Sequence, residues 1–159
     1  MRNTSSFRPR SRGALLAALA LGAAACDRDP SAPPAASLQF AEIVLTDAAG
    51  QAVAYSHADH WHGFVRVRRG EQQALRAYFA AQSVGDSHEA PTVRFTLESH
   101  SDYLLRTTTV DPAVASWEGD RFALTVRGGT AGSTGTSFVV RRGSTTVFQA
   151  PPTSVVVAE

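Results

Sequence analysis

The chain of 159 residues contains one cysteine, no lysine and one asparagine. A single cysteine excludes a disulfide within the chain, so in an oxidising compartment the fold must be held by its hydrophobic core. All fifteen basic residues are arginines, so arginine alone is weak evidence for arginine-specific chemistry. The apolar run at residues 14–25 has twelve residues, which is shorter than the roughly 20 that a membrane-spanning helix needs.

Charge is unevenly distributed along the chain. Four of the fifteen arginines lie in residues 1–25, which contain no acidic residue. The remaining 134 residues therefore hold eleven basic and fourteen acidic side chains, a net charge of −3 with histidine neutral. A mildly acidic chain argues against nucleic acid as a partner. Its length suits one domain with a sizeable core.

The N-terminal residues have the organisation of a secretory signal. A basic stretch is followed by the apolar run and by small residues just before Cys26. This pattern resembles the bacterial lipoprotein signal, in which the cysteine becomes the first mature residue and is acylated, although Ala23 stands where a larger aliphatic residue is usual. Ordinary cleavage after Ala25, leaving a free thiol, is the alternative. We predict a lipoprotein signal peptide at residues 1–25, then a lipidated Cys26 and a flexible Pro-rich tether over residues 26–36.

The rest of the chain alternates apolar and polar residues with turn residues at short intervals. Alternation is clear at residues 75–79 and 93–97, which predicts a strand at each. Residues 47–51 (DAAGQ) predict a hairpin loop, with Gly50 free to take a positive φ. Strands that recur every 8–12 residues or so are typical of an all-β sandwich or barrel.

Two kinds of short motif resemble the bacterial immunoglobulin-like group 2 domains. Residues 69–80 (RGEQQALRAYFA) are similar to their Gly-Glu strand opening, while residues 111–115 (DPAVA) and 131–134 (AGST) are similar to two steps in their second half. The stretch 81–101 is longer than is usual in that family. The resemblance implies an extracytoplasmic domain for adhesion, display or spacing, without enzymatic activity. We predict an immunoglobulin-like antiparallel β-sandwich of about seven strands over residues 37–159.

One hexapeptide, HADHWH, could carry chemistry, since it holds three of the five histidines. Neutral imidazole is a common ligand of zinc, copper and nickel. On an extended backbone, His60 and His62 point to the same side, about 6.5–7 Å apart along the chain. His57 joins them only if the chain bends near residues 58–59. Asp59 is either a metal ligand itself or a residue that fixes the tautomer of a ligating histidine by hydrogen bonding to it.

Other interpretations of these residues stay open. His88 and His100 lie in the long stretch 81–101 and are further candidate ligands. Alternatively the histidines are simply solvated in an exposed loop, with Trp61 capping the open end of the sandwich; Trp61 and Tyr103 are the aromatic residues we expect to be exposed. The histidine order differs from the His-x-His-x-Asp-His motif of metallo-β-lactamase-type hydrolases. A Gly-x-Ser-x-Gly elbow is also missing from the sequence.

The sequence favours a lipid-anchored, extracytoplasmic binding module, periplasmic or at the cell surface, and not an enzyme. The membrane, reached through the lipid, and a divalent metal ion, zinc or copper, are the expected partners. The expected metal ligands are His57, His60, His62 and Asp59, with His88 and His100 as auxiliary candidates. The alternative is a structural or adhesive immunoglobulin-like surface domain without metal, which meets a protein or a glycan.

Overall fold

The computed structural model describes residues 38–83, 85 and 88–159, so the predicted signal peptide, Cys26 and the tether lie outside the described residues. In this part of the chain, no helix is long and apolar enough to cross a membrane. Eleven strands follow one another: β1 Glu42–Thr46, β2 Ala52–His57, β3 His60–Gly63, β4 Val65–Arg68, β5 Gln72–Ala80, β6 Tyr103–Thr109, β7 Ala115–Asp120, β8 Ala123–Gly128, β9 Gly132–Arg142, β10 Thr145–Gln149 and β11 Thr153–Ala158.

The strands form two sheets. The first sheet is antiparallel and has the order β3-β2-β1-β5-β8-β7. In the second sheet, β9 pairs with β6 along one edge and with β10 and β11 along the other, and β11 pairs in parallel with β4. The sheets pack as a sandwich and do not close into a barrel. The predicted all-β sandwich is therefore confirmed, and it is consistent with an immunoglobulin-like architecture.

The core between the sheets is built by the alternation seen in the sequence. Along β5, Leu75, Ala77 and Phe79 are all buried, whereas Arg76 is exposed. Phe79 is the centre of an aromatic cluster, with ring centroids 5.5–6.2 Å from those of four other phenylalanines. These four are Phe40, Phe95, Phe122 and Phe148. Burial of such rings is the main source of stability in a domain that has no disulfide within its chain.

Several sequence predictions about the strands and aromatic residues are wrong. Residues 93–97 are not a strand: Phe95 makes an isolated bridge to Phe79, and Val93 is 87% exposed. The described residues contain eleven strands where about seven were expected, partly because Pro151 and its neighbour separate β10 from β11, both of which pair with β9. Tyr103, expected to be exposed, is buried in the core.

Gly63 allows the chain to pass from the first sheet to the second. Its φ is +74°, and a Cβ atom there would lie 2.4 Å from the carbonyl oxygen of Val53 on the neighbouring strand. Only glycine fits such a close approach with a positive φ. The next strand, β4, then pairs with β11 of the second sheet. Gly63 therefore leaves β3, with its two histidines, at the edge of the first sheet.

Candidate functional site

A two-residue hairpin brings three histidines to one face of the first sheet. The chain turns at Ala58 and Asp59, where Ala58 has a φ of +49°. Across this turn, His57 pairs with His60, and Tyr55 pairs with His62. Residues directly opposite each other on paired strands share a face. The prediction that His60 and His62 lie on one side is confirmed, and the turn at residues 58–59 meets the condition under which His57 joins them.

Trp61 lies on the opposite face of β3 and fixes this edge strand to the second sheet. Its ring centroid is 5.7 Å from that of Phe138 in β9. Its indole Nε1 donates a hydrogen bond of 2.6 Å to the carbonyl oxygen of Pro151. Trp61 is half-buried and packs against the core, so the expectation that it would be exposed is wrong. Because Trp61 points inward, the two histidines on either side of it point outward.

The outward face holds a cluster of four imidazoles, which we call the histidine cluster: His57, His60, His62 and His88. The Nε2 atoms of His60 and His62 are 3.1 Å apart, and Nδ1 of His88 is 3.5 Å from the same Nε2 of His62. The ring of His57 lies 5.5 Å from that of His60 and 5.7 Å from that of His62, measured between centroids. Of the two auxiliary candidates, the structure therefore brings His88 to the cluster.

His100 occupies a different environment. It belongs to the turn before β6, and its ring centroid lies 5.9 Å from that of Tyr103. Its carbonyl oxygen accepts a hydrogen bond from the guanidinium of Arg121, which also reaches the carbonyl oxygens of Leu97 and Glu98. Arg121 therefore stabilises the conformation of this turn. The ring of His100 packs on Tyr103 and not on the histidine cluster.

Two carboxylates stand behind two of the imidazoles. Oδ1 of Asp59 is 3.1 Å from Nδ1 of His60, and Oε1 of Glu42 is 3.2 Å from Nδ1 of His57. The hydrogen bond with His60 lowers the pKa of Asp59, so this carboxylate is ionised at neutral pH. Of the two roles that the sequence left open for Asp59, the geometry favours fixing a tautomer, because its carboxylate faces the far ring nitrogen from the cluster.

Glu42 lies beside the histidine cluster and was not predicted from the sequence as a site residue. It lies in β1, paired to Ala80 on one side, and is fully buried. Its Oε1 also accepts a hydrogen bond of 2.7 Å from the hydroxyl of Ser83. A signal was present in the sequence, because Glu42 is the one acidic residue in the otherwise apolar start of this strand.

The environment of His62 favours its neutral form. Removal from water lowers the pKa of His62, and the nearby imidazoles of His60, His88 and His57 lower it further, while Glu42 acts in the opposite direction. A metal ion needs the neutral imidazole with a free lone pair. The shift therefore favours the protonation state in which His62 is able to bind a cation.

Ser83, His57 and Glu42 do not have the geometry of a serine-histidine-carboxylate catalytic triad. In such a triad, the serine and the carboxylate contact different ring nitrogens of the histidine. Here the hydroxyl of Ser83 is 3.5 Å from Nδ1 of His57, the same nitrogen that faces Glu42. The serine and the carboxylate thus share one side of the ring, which suits the orientation of His57 rather than activation of the hydroxyl.

Within residues 38–83, 85 and 88–159, no group of three or more His, Cys, Asp or Glu side chains is arranged to hold a metal ion. Binding of an ion at the histidine cluster would therefore require its rings to rearrange. No family model matches the chain, and no curated protein matches it.

Proposed function

We propose that this protein is a lipid-anchored, extracytoplasmic module that binds one divalent transition-metal ion, zinc or copper, at the histidine cluster. The proposed ligands are the ring nitrogens of His57, His60, His62 and His88, with Asp59 orienting His60. The observation that carries the proposal is that ring nitrogens of two other histidines, His60 and His88, both lie within 3.5 Å of Nε2 of His62. The proposed role is binding and not catalysis.

The spacing of the nitrogens supports the proposal. Two ligands that are each about 2.0–2.1 Å from one zinc ion at the tetrahedral angle lie about 3.3–3.4 Å apart. The distances from Nε2 of His62 to Nε2 of His60 and to Nδ1 of His88 are 3.1 and 3.5 Å, on either side of that value. The ring of His57 lies 5.5 Å from that of His60 and 5.7 Å from that of His62, measured between centroids, which makes His57 the fourth candidate ligand. Half of the His60 side chain is exposed, so an ion from solvent can reach it.

The donor chemistry restricts the kind of ion. Imidazole suits zinc, copper and nickel, whereas magnesium and calcium prefer oxygen ligands. The only thiol of the chain belongs to Cys26, which the proposed lipidation would consume. An all-nitrogen site of this type favours zinc and copper, with copper(II) the tighter-binding ion on general grounds.

The proposed export and membrane anchoring are inferred from N-terminal residues outside the described part of the structure. A basic stretch, a short apolar run and small residues before Cys26 support export and acylation. Replacement of Cys26 by serine is expected to release the protein from the membrane fraction and to abolish labelling with a radioactive fatty acid. Retention in the membrane fraction with unchanged labelling would contradict the anchor.

Equilibrium unfolding in urea tests the metal site. A ligand that binds only the folded state adds about 2.7 kcal/mol to the free energy of unfolding at a concentration of a hundred times Kd. Zinc is expected to stabilise the protein by this amount and to have no such effect on the His60→Ala/His62→Ala variant. His100→Ala is the matched control, because His100 lies apart from the cluster and should leave the zinc effect intact. Equal stabilisation of all three proteins, or of none, would contradict the proposal.

A second candidate function, adhesion to a protein or a glycan, is favoured by a groove on the same sheet. The groove has a volume of about 620 Å³, and its lining includes Asp47, Arg76, Tyr78 and Asp120. Acidic, basic and aromatic groups in one open groove can bind a polar partner without any metal. Loss of glycan or protein binding in an Arg76→Ala variant, with binding kept in the histidine variant, would support this function.

A further inference from the structure

Glu42 is a costly residue for this fold. Among the described residues, it is the only charged side chain that is buried, with 0% of its surface exposed. Transfer of a carboxylate from water into a protein interior costs several kcal/mol unless hydrogen bonds and opposite charges compensate for it. An apolar residue would fit β1 at lower cost, since every other position in that strand except Thr46 is apolar and buried. The contacts of Glu42 therefore indicate what it does.

The contacts of Glu42 favour one tautomer of His57. The hydroxyl of Ser83 donates to Oε1 of Glu42 at 2.7 Å, and Nδ1 of His57 lies 3.2 Å from the same oxygen. A carboxylate that faces Nδ1 places the proton on that nitrogen and leaves the lone pair on Nε2. The side chain of His57 is only 13% exposed, so its ring has little freedom to turn away.

Asp59 and His60 form a second pair with the same chemistry in a different environment. Their separation of 3.1 Å is close to that of the Glu42 pair, but 96% of the Asp59 side chain and 50% of the His60 side chain are exposed. Water competes for an exposed carboxylate and screens its charge. The two pairs thus provide a natural comparison of a buried and an exposed carboxylate behind an imidazole.

We infer that Glu42 is the positioning residue of the metal site: it holds His57 with Nε2 as the ligand nitrogen, and its buried negative charge favours a divalent cation. This inference rests on the proposed metal-binding function. Removal of a carboxylate behind a ligating histidine typically weakens metal binding by roughly 10–100-fold. The exposed Asp59 is expected to contribute much less, because its field is screened.

The test compares Glu42→Gln with Asp59→Asn in the purified full chain. Zinc affinity is measured by competition with a chromophoric chelator, and far-ultraviolet circular dichroism checks that each variant is folded. Glu42→Gln is expected to weaken zinc binding by roughly 10–100-fold, and Asp59→Asn by much less. A second measurement uses the nitrogen-15 NMR spectrum of the imidazoles without metal. It is expected to show the proton of His57 on Nδ1 in the wild type and a changed signal in Glu42→Gln.

The outcomes separate this inference from the proposed function. If the wild type binds zinc and Glu42→Gln binds it equally well, the inference is wrong and the metal site stands. Equal weakening by both substitutions would also overturn it, because buried and exposed carboxylates would then be equivalent. Failure of the wild type to bind zinc removes both proposals. Should Glu42→Gln not fold, a wild-type spectrum with the His57 proton on Nε2 would by itself overturn the inference.

Discussion

Substitution of Gly63 by alanine tests the geometry that places the histidine cluster at the edge of the first sheet. At this residue φ is +74°, and an added Cβ would lie 2.4 Å from the backbone oxygen of Val53 and 3.3 Å from Cα of Ala54. Both contacts are backbone atoms of β2, so relief requires the two strands to move apart. Gly50 and Gly70 have φ values of +79° and +77° with no atom within 4 Å of the added Cβ. They are matched controls with the same strain and no clash.

The expected magnitudes follow from that comparison. An L-residue in the left-handed region costs about 1–2 kcal/mol, and the stiffer unfolded chain returns about 0.4–1 kcal/mol of this. Alanine at Gly50 or Gly70 should therefore lower the free energy of unfolding by about 1 kcal/mol. Forcing a methyl group into a filled space adds about 1–3 kcal/mol. For Gly63→Ala the total loss should then be roughly 2–4 kcal/mol.

Urea unfolding followed by tryptophan fluorescence measures all three variants, because Trp61 and Trp117 both contact the core. The decisive quantity is the difference between Gly63→Ala and the two controls, in which the cost of a positive φ cancels. If the three variants lose the same free energy, β3 does not approach β2 as described, and the position of His62 would have to be revised.

Three further results are expected. Trp61→Phe removes the hydrogen bond to Pro151 while keeping an aromatic ring, so it should lower the free energy of unfolding by about 1 kcal/mol in urea titrations; no loss would contradict the bond between the sheets. Phe79→Ala should cost about 3–5 kcal/mol by the same method, because the ring is fully buried, and a loss below about 1 kcal/mol would contradict that packing. The hydrogen bond from Arg142 holds the pKa of Asp102 below its usual range. The stabilisation of the fold by this ionised carboxylate is therefore fully present above the unfolded-state pKa of about 3.9, and it is lost as the pH falls through the lower pKa of Asp102 in the folded protein. In the Arg142→Ala variant, NMR titration of the carboxyl group should show the pKa of Asp102 back in its usual range. An unchanged pKa would contradict the contact between the two residues.

The sequence predicted the fold class well because side-chain alternation is a local signal. Leu75, Ala77 and Phe79 fill the core in the way their spacing requires. The same signal failed at residues 93–97, since alternation shows which residues share a face but not whether a partner strand is available. Trp61 was misplaced for a related reason: its inward orientation depends on a carbonyl group ninety residues away.

Only the part of the candidate site that depends on local backbone geometry could be predicted from the sequence. That His60 and His62 share a face was predicted and is confirmed, and the turn that places His57 beside them belongs to the same hairpin. The choice between His88 and His100 depends on the path of a long connection, which no periodic pattern determines. Glu42 was missed because its role depends on burial and on a partner fifteen residues away.

Calorimetric titration of Zn²⁺, Cu²⁺ and Ni²⁺ into the purified protein measures directly whether the histidine cluster binds a metal ion. The comparison is a variant with His57, His60 and His62 all replaced by alanine. We expect one ion per chain, bound with micromolar or tighter affinity by the wild type and not by the variant. Weak binding of the same strength to both proteins would contradict a metal-binding role for the histidine cluster.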